Sequence, residues 1–230
     1  MTEAEWLAET EPTPMLEFLR GRASDRQSRH IMVHFAHQSL AWYHDEATRA
    51  VIAILDRYAD GDIAGEGLHD ALLPFAALCR VLAYKGYPWS VQNAVRLLPA
   101  HIESAALWLI RPFIPEGITV SSLSDLNDLV LPPIDGRIIS YFRWVVCETL
   151  RDVVGAPIFR PITFSPAWLT HTAVGLAQAM YATREFGAMP TLADALQNAG
   201  CEDADILAHC RGDGPHVRGC WVIDGVLGKG

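Results

Sequence analysis

Cysteine and histidine, the side chains that most often bind zinc, are concentrated near the C-terminus of the chain. Cys201, Cys210, His216 and Cys220 are separated by eight, five and three residues. Four nitrogen and sulfur donors at such spacings suit tetrahedral zinc, and their order is similar to that of a CCCH finger with the last two ligands exchanged. His209 is a spare donor next to Cys210. The pattern indicates a candidate zinc site.

A simpler interpretation of the same residues is structural. We expect helices in this region, whereas a finger of that type is mostly irregular. Cys210 and Cys220 would then pack as small apolar groups, and Cys201 would begin a helix. His216 would lie in the first turn of the next helix, in which Cys220 and Val217 point inward. We therefore predict structural thiols, with zinc as the alternative.

Histidines also recur along the third predicted helix, at His30, His34, His37 and His44. Spacings of four, three and seven residues place them on one stripe, because successive helical residues turn by about 100°. A pair one turn apart could chelate a divalent metal if Asp45 or another carboxylate added a ligand. The stripe lacks the glutamate of the HExxH pattern. The alternative is a set of half-exposed or hydrogen-bonded histidines whose contacts depend on pH.

The composition is that of a folded, acidic protein. Half of the 230 residues are hydrophobic and 20% are charged, which excludes a disordered chain. The net charge of −9 repels nucleic acid backbones. No apolar run approaches the roughly 18 residues of a membrane span, and the N-terminus lacks the features of a secretory signal. We therefore expect a cytoplasmic protein with no membrane or nucleic acid partner, whose five cysteines are free thiols or ligands.

Hydrophobic residues recur at helical spacing along the chain, and no segment shows sustained strand alternation. Helix starts are marked by the capping box of Thr2 and Glu5 and by Pro14 in a first turn, and helix ends by glycines such as Gly155. The sequence predicts an all-α protein, a compact bundle of ten or more helices in one domain, residues 1–230. A division into 1–112 and 113–230 is the alternative.

Four predicted helices complete the chain: residues 165–187, 191–199, 202–211 and 215–227. The last two are similar to a HEAT-type pair, although a solenoid needs about three repeats. The predicted core residues are Trp6, Leu16, Phe18, Phe142, Val146, Trp168, Leu176, Leu196 and Trp221.

Long ungapped words stand at both ends of the chain. The N-terminal words are TEAEWLA from Thr2, PTPMLEFLRG from Pro12 and ASDR from Ala23. The C-terminal words are FRP from Phe159, PAWLT from Pro166, LADAL from Leu192, AGC from Ala199, DILAHCR from Asp205 and HVRGCWV from His216. These words resemble a large paralogous family of planctomycete proteins and cover about half of the chain. The resemblance implies no activity, and family members often have cysteines where this chain has Val33, Phe35 and Ala36.

Motifs of catalytic machinery are missing from the sequence, which has no glycine-rich phosphate loop, no GxSxG nucleophile motif and no recognisable order of serine, histidine and aspartate. Together with the acidity, this favours a non-catalytic protein that binds another protein, as a regulatory or immunity-like module. The alternative is a zinc-binding protein or metal-dependent enzyme that uses the C-terminal cysteines and histidine or the histidine stripe.

Overall fold

The computed structural model describes residues 1–40, 46–64, 67–68, 71 and 136–229, and over these residues the protein is all-α, as predicted. The α-helices of this part are α1 (Glu3–Ala8), α2 (Pro12–Leu19), α3 (Asp25–Leu40), α4 (Glu46–Asp60), α5 (Gly136–Val154), α6 (His171–Thr183), α7 (Met189–Asn198), α8 (Ala204–Arg211) and α9 (Trp221–Leu227). Nine described helices are fewer than the ten or more predicted, and the helices predicted between residues 72 and 135 lie outside the described residues. Each helix in the described ranges is too short or too polar to cross a bilayer.

The chain divides into two compact units. The terminal unit consists of Met1–Ala8 and Cys147–Gly230, and the central unit consists of Glu9–Val146. The alternative boundary between residues 112 and 113 lies outside the described residues, so the number of domains stays a prediction.

The terminal unit has a hydrophobic core between α6, α7, α8 and α9. Helix α7 packs on α6 and α8, and α9 packs on α6. The fully buried side chains of this core include Ala173, Ala177, Leu192, Leu196, Cys201, Ile206, Cys210, Val222 and Ile223. The end of α5 adds the buried residues Leu150 and Val154 to the same unit.

Local hydrogen bonds decide where the helices of this unit begin. The Asp203 carboxylate caps α8 by accepting from the backbone N–H groups of Asp205 and Ile206. Thr170 caps α6 in the same way. The single helix predicted from 165 to 187 is wrong, because Ser165 caps a separate 3-10 turn, Pro166–Trp168, before α6 begins.

The prediction of one helix from 215 to 227 is wrong for the first half of that segment. Residues 212–220 form a loop, and α9 begins at Trp221. Gly219 has a φ of 94°, which is incompatible with a right-handed helix. The Val217 N–H donates to the side chain of Asp152 instead of to a helix carbonyl. The last helix is therefore shorter than the HEAT-like comparison assumed, and His216 lies in the loop.

The predicted core is confirmed in large part. The buried members are Trp6, Leu16, Val146, Leu196 and Trp221. Phe18, Trp168 and Leu176 are only half-buried, and Trp168 and Leu176 pack against the edge of the terminal core. The Phe142 side chain lies outside what the structure describes.

The central unit contains the predicted histidine helix. Its helix α3 packs against α4, and their shared core consists of Val33, Val51, Leu55, Ala59 and Leu68. The capping box of Ser24 and Gln27 starts α3, since each side chain accepts the other residue's backbone N–H. The predicted histidine helix therefore packs against a second helix, α4.

Candidate metal centre

Four chemically reactive side chains of the terminal unit converge on one point: Asp152, His209, His216 and Cys220. One donor atom from each lies within 4.8 Å of the donor atoms of the other three. We call these residues the four-residue cluster. Two of them, His216 and Cys220, belong to the predicted zinc set. His209 is the additional donor that the sequence places next to that set.

Each member of the cluster is placed by a different element. Asp152 lies in the last turn of α5, and His209 lies in the last turn of α8. His216 is in the loop 212–220, and Cys220 is the N-cap residue of α9. The cluster therefore joins segments that are far apart in sequence.

Asp152 is the centre of the cluster, and its side chain is 2% exposed. Its Oδ1 atom accepts a hydrogen bond from Nδ1 of His216 at 2.7 Å and lies 3.0 Å from Nε2 of His209. Its Oδ2 atom accepts the backbone N–H of Val217 at 2.8 Å. Both carboxylate oxygens are held in fixed directions.

The imidazole of His209 faces two other members through the same nitrogen. Its Nε2 atom lies 3.2 Å from Sγ of Cys220 as well as 3.0 Å from Asp152. A cysteine–histidine–aspartate triad uses the two ring nitrogens separately, one toward the nucleophile and one toward the carboxylate. The arrangement is therefore that of donors around a common point and not that of a triad.

Burial and charge set the protonation of the cluster. Burial raises the pKa of the Asp152 carboxyl, but hydrogen bonds from His209 and His216 outweigh it, so the net pKa is lowered. Burial, and after it the negative charge of Asp152, raise the pKa of the Cys220 thiol well above its usual range. A thiol held in its protonated form is a poor nucleophile. A divalent cation would reverse the influence of Asp152 and favour the thiolate.

His216 has a second nitrogen without a partner among the described residues. Its Nε2 atom is buried and makes no hydrogen bond there, and the side chain as a whole is 9% exposed. An unsatisfied buried polar atom costs roughly 1 to 3 kcal/mol. Such atoms in native proteins commonly mark a functional constraint or a bound species.

A cavity of about 330 Å³ lies beside the cluster. Asp152, His209 and His216 are among the residues that line it, whereas Cys220 is fully buried and is not. The rest of the wall includes aromatic and charged side chains, among them Trp6, Glu148, Arg151, Phe159 and Trp221. All of these residues belong to the terminal unit.

The other two residues of the predicted zinc set, Cys201 and Cys210, lie outside the four-residue cluster. Both are fully buried in the core of the terminal unit. Burial raises the pKa of both thiols, and with smaller contributions from Cys201 and Asp152 the pKa of Cys210 rises to about 12. The structure therefore places only half of the predicted set around one point.

The histidines of the predicted stripe face carboxylates on α4. Nε2 of His37 lies 2.8 Å from Oδ1 of Asp56, and Nε2 of His30 lies 3.6 Å from Oδ1 of Asp60. His34 is half-buried. Among the described residues the stripe does not form a group of three or more metal donors at one point. His44 and Asp45 lie outside the described residues.

Sequence reasoning missed Asp152, the residue that holds the cluster together. One signal was available, because Asp152 follows Val145 by seven residues, which places both on one face of a helix whose apolar residues repeat at Val146, Leu150 and Val153. A carboxylate on a buried face requires partners. A single sequence does not show that these partners lie near the C-terminus.

Comparison with protein-family models, with curated proteins and with solved structures finds no match to this chain. The resemblance to the planctomycete family stays a prediction. The observations that bear on function are therefore those of the site itself.

Proposed function

We propose that this protein binds a divalent metal ion, zinc by its donor set, through Asp152, His209, His216 and Cys220. The observation that supports this function is the convergence of the four donor atoms within 4.8 Å of one another. Carboxylate oxygen, imidazole nitrogen and thiolate sulfur are the usual ligands of protein-bound zinc.

The dimensions of the cluster are close to those of a tetrahedral site. Zinc with ligands at about 2.0 to 2.3 Å holds neighbouring donors about 3.3 to 3.8 Å apart. The contacts between donors in the cluster, 2.7, 3.0 and 3.2 Å, are hydrogen-bond distances. Metal entry would replace the shared protons and move the donors apart by less than about 1 Å.

The charge and the outer contacts of the cluster also suit a cation. Asp152 supplies a buried negative charge, and the Val217 N–H holds its Oδ2 atom while Oδ1 faces the histidines. Hydrogen bonds of this kind orient the ligands in metal sites and are required for tight binding. An ion there would also compensate the cost of burying the carboxylate.

Metal binding would stabilise the terminal unit, because the ligands come from α5, α8, the loop 212–220 and α9. An ion bound only by the folded protein adds its binding free energy to the stability of the fold. We therefore interpret the site first as one that fixes the C-terminal elements on α5.

A zinc titration of the metal-free protein tests the proposal. We expect one zinc ion per chain, with affinity reduced at least tenfold in Asp152→Asn and in Cys220→Ser. Cys210→Ser is the matched control, because it removes an equally buried thiol outside the cluster. Equal zinc binding by the wild type and by both cluster variants would exclude the site. Loss of zinc in Cys210→Ser and Cys220→Ser, but not in Asp152→Asn, would favour the set predicted from sequence.

Binding of another protein, as a regulatory or immunity-like module, is the second function that we propose. It is favoured by two exposed aromatic side chains on α5, Tyr141 and Trp144, which are 59% and 46% exposed with ring centroids 5.9 Å apart. Exposed aromatic residues are common anchors of protein interfaces. A specific protein that co-purifies with the wild type and not with the Tyr141→Ser, Trp144→Ser variant would support this role.

We also propose that the protein works in the cytoplasm. The four described cysteines, Cys147, Cys201, Cys210 and Cys220, are buried free thiols. Free thiols are typical of a reducing compartment. Cell fractionation with an antibody against the chain tests the location.

A further inference from the structure

We propose that the cavity beside the four-residue cluster is a ligand site, in which a small molecule with an oxygen donor and an uncharged aromatic body reaches the bound metal ion. The inference rests on the proposed function, because the metal supplies the polar anchor. It adds the chemical class of a ligand to the site.

The size of the cavity suits a small molecule. Ligand sites in proteins have volumes of about 300 to 1,000 Å³, and the cavity of about 330 Å³ is at the lower end of this range. A ring with a short polar substituent fits such a space.

The walls of the cavity favour an apolar body. The side chains of Trp6, Phe159 and Trp221 contribute three aromatic rings. Trp6 and Phe159 are in contact edge to face, with centroids 6.1 Å apart, and both tryptophans are more than nine-tenths buried. Preformed aromatic walls bind flat apolar groups with little loss of side-chain entropy.

The charged residues of the wall are already paired. Arg151 donates to Glu148 at 2.7 Å and to the carbonyl oxygen of Trp6 at 2.9 Å. The carboxylates of Glu3 and Asp205 both accept from Arg160. A charged ligand would have to break these pairs, so an uncharged body is favoured.

The polar end of the ligand would face the metal ligands. Asp152, His209 and His216 line the cavity, whereas the fully buried Cys220 does not, so an ion held by all four has one side toward the cavity. Zinc accepts a further oxygen donor by becoming five-coordinate.

Hydroxamates test this inference, because they bind zinc through oxygen and can be obtained with or without a ring. Isothermal titration calorimetry would compare benzohydroxamate with acetohydroxamate on zinc-loaded and metal-free protein. We expect benzohydroxamate to bind the zinc-loaded protein at least tenfold tighter than acetohydroxamate does. We expect the metal-free protein to bind benzohydroxamate at least tenfold more weakly.

A matched pair of variants connects the binding to the cavity. Ala208 is an exposed residue of α8 that lines the cavity, so Ala208→Phe narrows it without touching the cluster. Ala179, exposed on α6 and away from the lining, provides the control Ala179→Phe. We expect only Ala208→Phe to weaken benzohydroxamate binding, by at least tenfold. Ala208→Gln, which keeps a good helix former, replaces it if circular dichroism shows that Ala208→Phe does not fold.

Zinc content is measured in every sample, so that the two proposals fail separately. A zinc-loaded protein that binds neither hydroxamate, or binds both equally, would overturn the ligand site and leave the metal site intact. Unchanged binding in the Ala208 variants would do the same. Failure to bind zinc would overturn both.

Discussion

His216 and Asp152 are 64 residues apart in sequence, and Nδ1 of His216 donates a hydrogen bond of 2.7 Å to Oδ1 of Asp152. The next residue, Val217, donates its backbone N–H to Oδ2 of the same carboxylate. One buried side chain of α5 therefore fixes the loop 212–220. The stability of the metal-free protein and the geometry of the four-residue cluster depend on this contact.

Replacing Asp152 by alanine should destabilise the metal-free protein by roughly 3 to 5 kcal/mol, the usual cost of leaving the partners of a buried charge unpaired. The histidines and the Val217 N–H would lose their acceptor. Urea unfolding in the presence of EDTA measures the change. Asp205→Ala, which removes a partly exposed carboxylate, should change the midpoint little. Equal losses in the two variants would contradict the central role of Asp152.

Acid should remove the contribution of Asp152 in the metal-free protein. The folded pKa of Asp152 is lowered, so its stabilising effect is complete above the unfolded value of about 3.9 and is lost as the pH falls through the folded value. The difference in unfolding free energy between the wild type and Asp152→Asn should therefore decrease as the pH falls below about 4. A difference that grows as the pH falls would mean that folding raises the pKa of Asp152 and does not lower it.

The cysteines should react slowly in the folded, metal-free protein. Burial raises the pKa of Cys210 to about 12 and that of Cys220 well above its usual range, so few thiolates are present at pH 8. Because the thiolate is the reactive form, modification by a disulfide reagent should be at least about 100-fold slower in the native state than in urea. A fast reaction of Cys210 or Cys220 in the native protein would contradict their burial.

Gly155 should not tolerate a side chain. Its φ is 57°, and an added Cβ would lie 2.2 Å from Cδ1 of Trp221. Backbone strain and overpacking together should make Gly155→Ala less stable by roughly 3 kcal/mol. Gly175 in α6 is the matched control, because nothing lies within 4 Å of its added Cβ and Gly175→Ala should stabilise the helix by about 0.5 to 1 kcal/mol. Denaturant unfolding that shows the same sign for both variants would contradict this packing.

Much of the fold was predictable because its signals are local. The capping box of Thr2 and Glu5 is present, with each side chain accepting the backbone N–H of the other residue. Trp6 and Leu196, predicted as core from helical periodicity, are buried. These features depend on residues three or four positions apart, which a single sequence displays.

The cluster was only half predictable because it depends on one backbone turn and one distant contact. The sequence favoured a helix through His216, whereas the positive φ of Gly219 keeps residues 212–220 in a loop. That loop brings His216 to Asp152 instead of to Cys201 and Cys210. A single sequence does not show that Gly219 adopts a left-handed conformation. It also does not show that Asp152 is the buried acid that His216 contacts.

The histidine stripe shows the same contrast between local pattern and distant partner. The spacing correctly placed His30 and His37 in one helix, and both face aspartates of α4. The hydrogen-bonded alternative thus describes the 2.8 Å contact of His37 with Asp56, whereas His30 and Asp60 are 3.6 Å apart. Their partners, Asp60 and Asp56, are one turn apart on a separate helix, which the spacing of the histidines does not show.

X-ray absorption at the zinc edge of the zinc-loaded protein tests the central claim most directly, because it identifies the atoms bound to the ion. The four-residue cluster predicts one sulfur at about 2.3 Å and three nitrogen or oxygen atoms at about 2.0 to 2.2 Å. Cys220→Ser should remove the sulfur contribution, whereas Cys210→Ser should leave the spectrum unchanged. Three sulfurs and one nitrogen around the zinc, the set Cys201, Cys210, His216 and Cys220, would contradict the account.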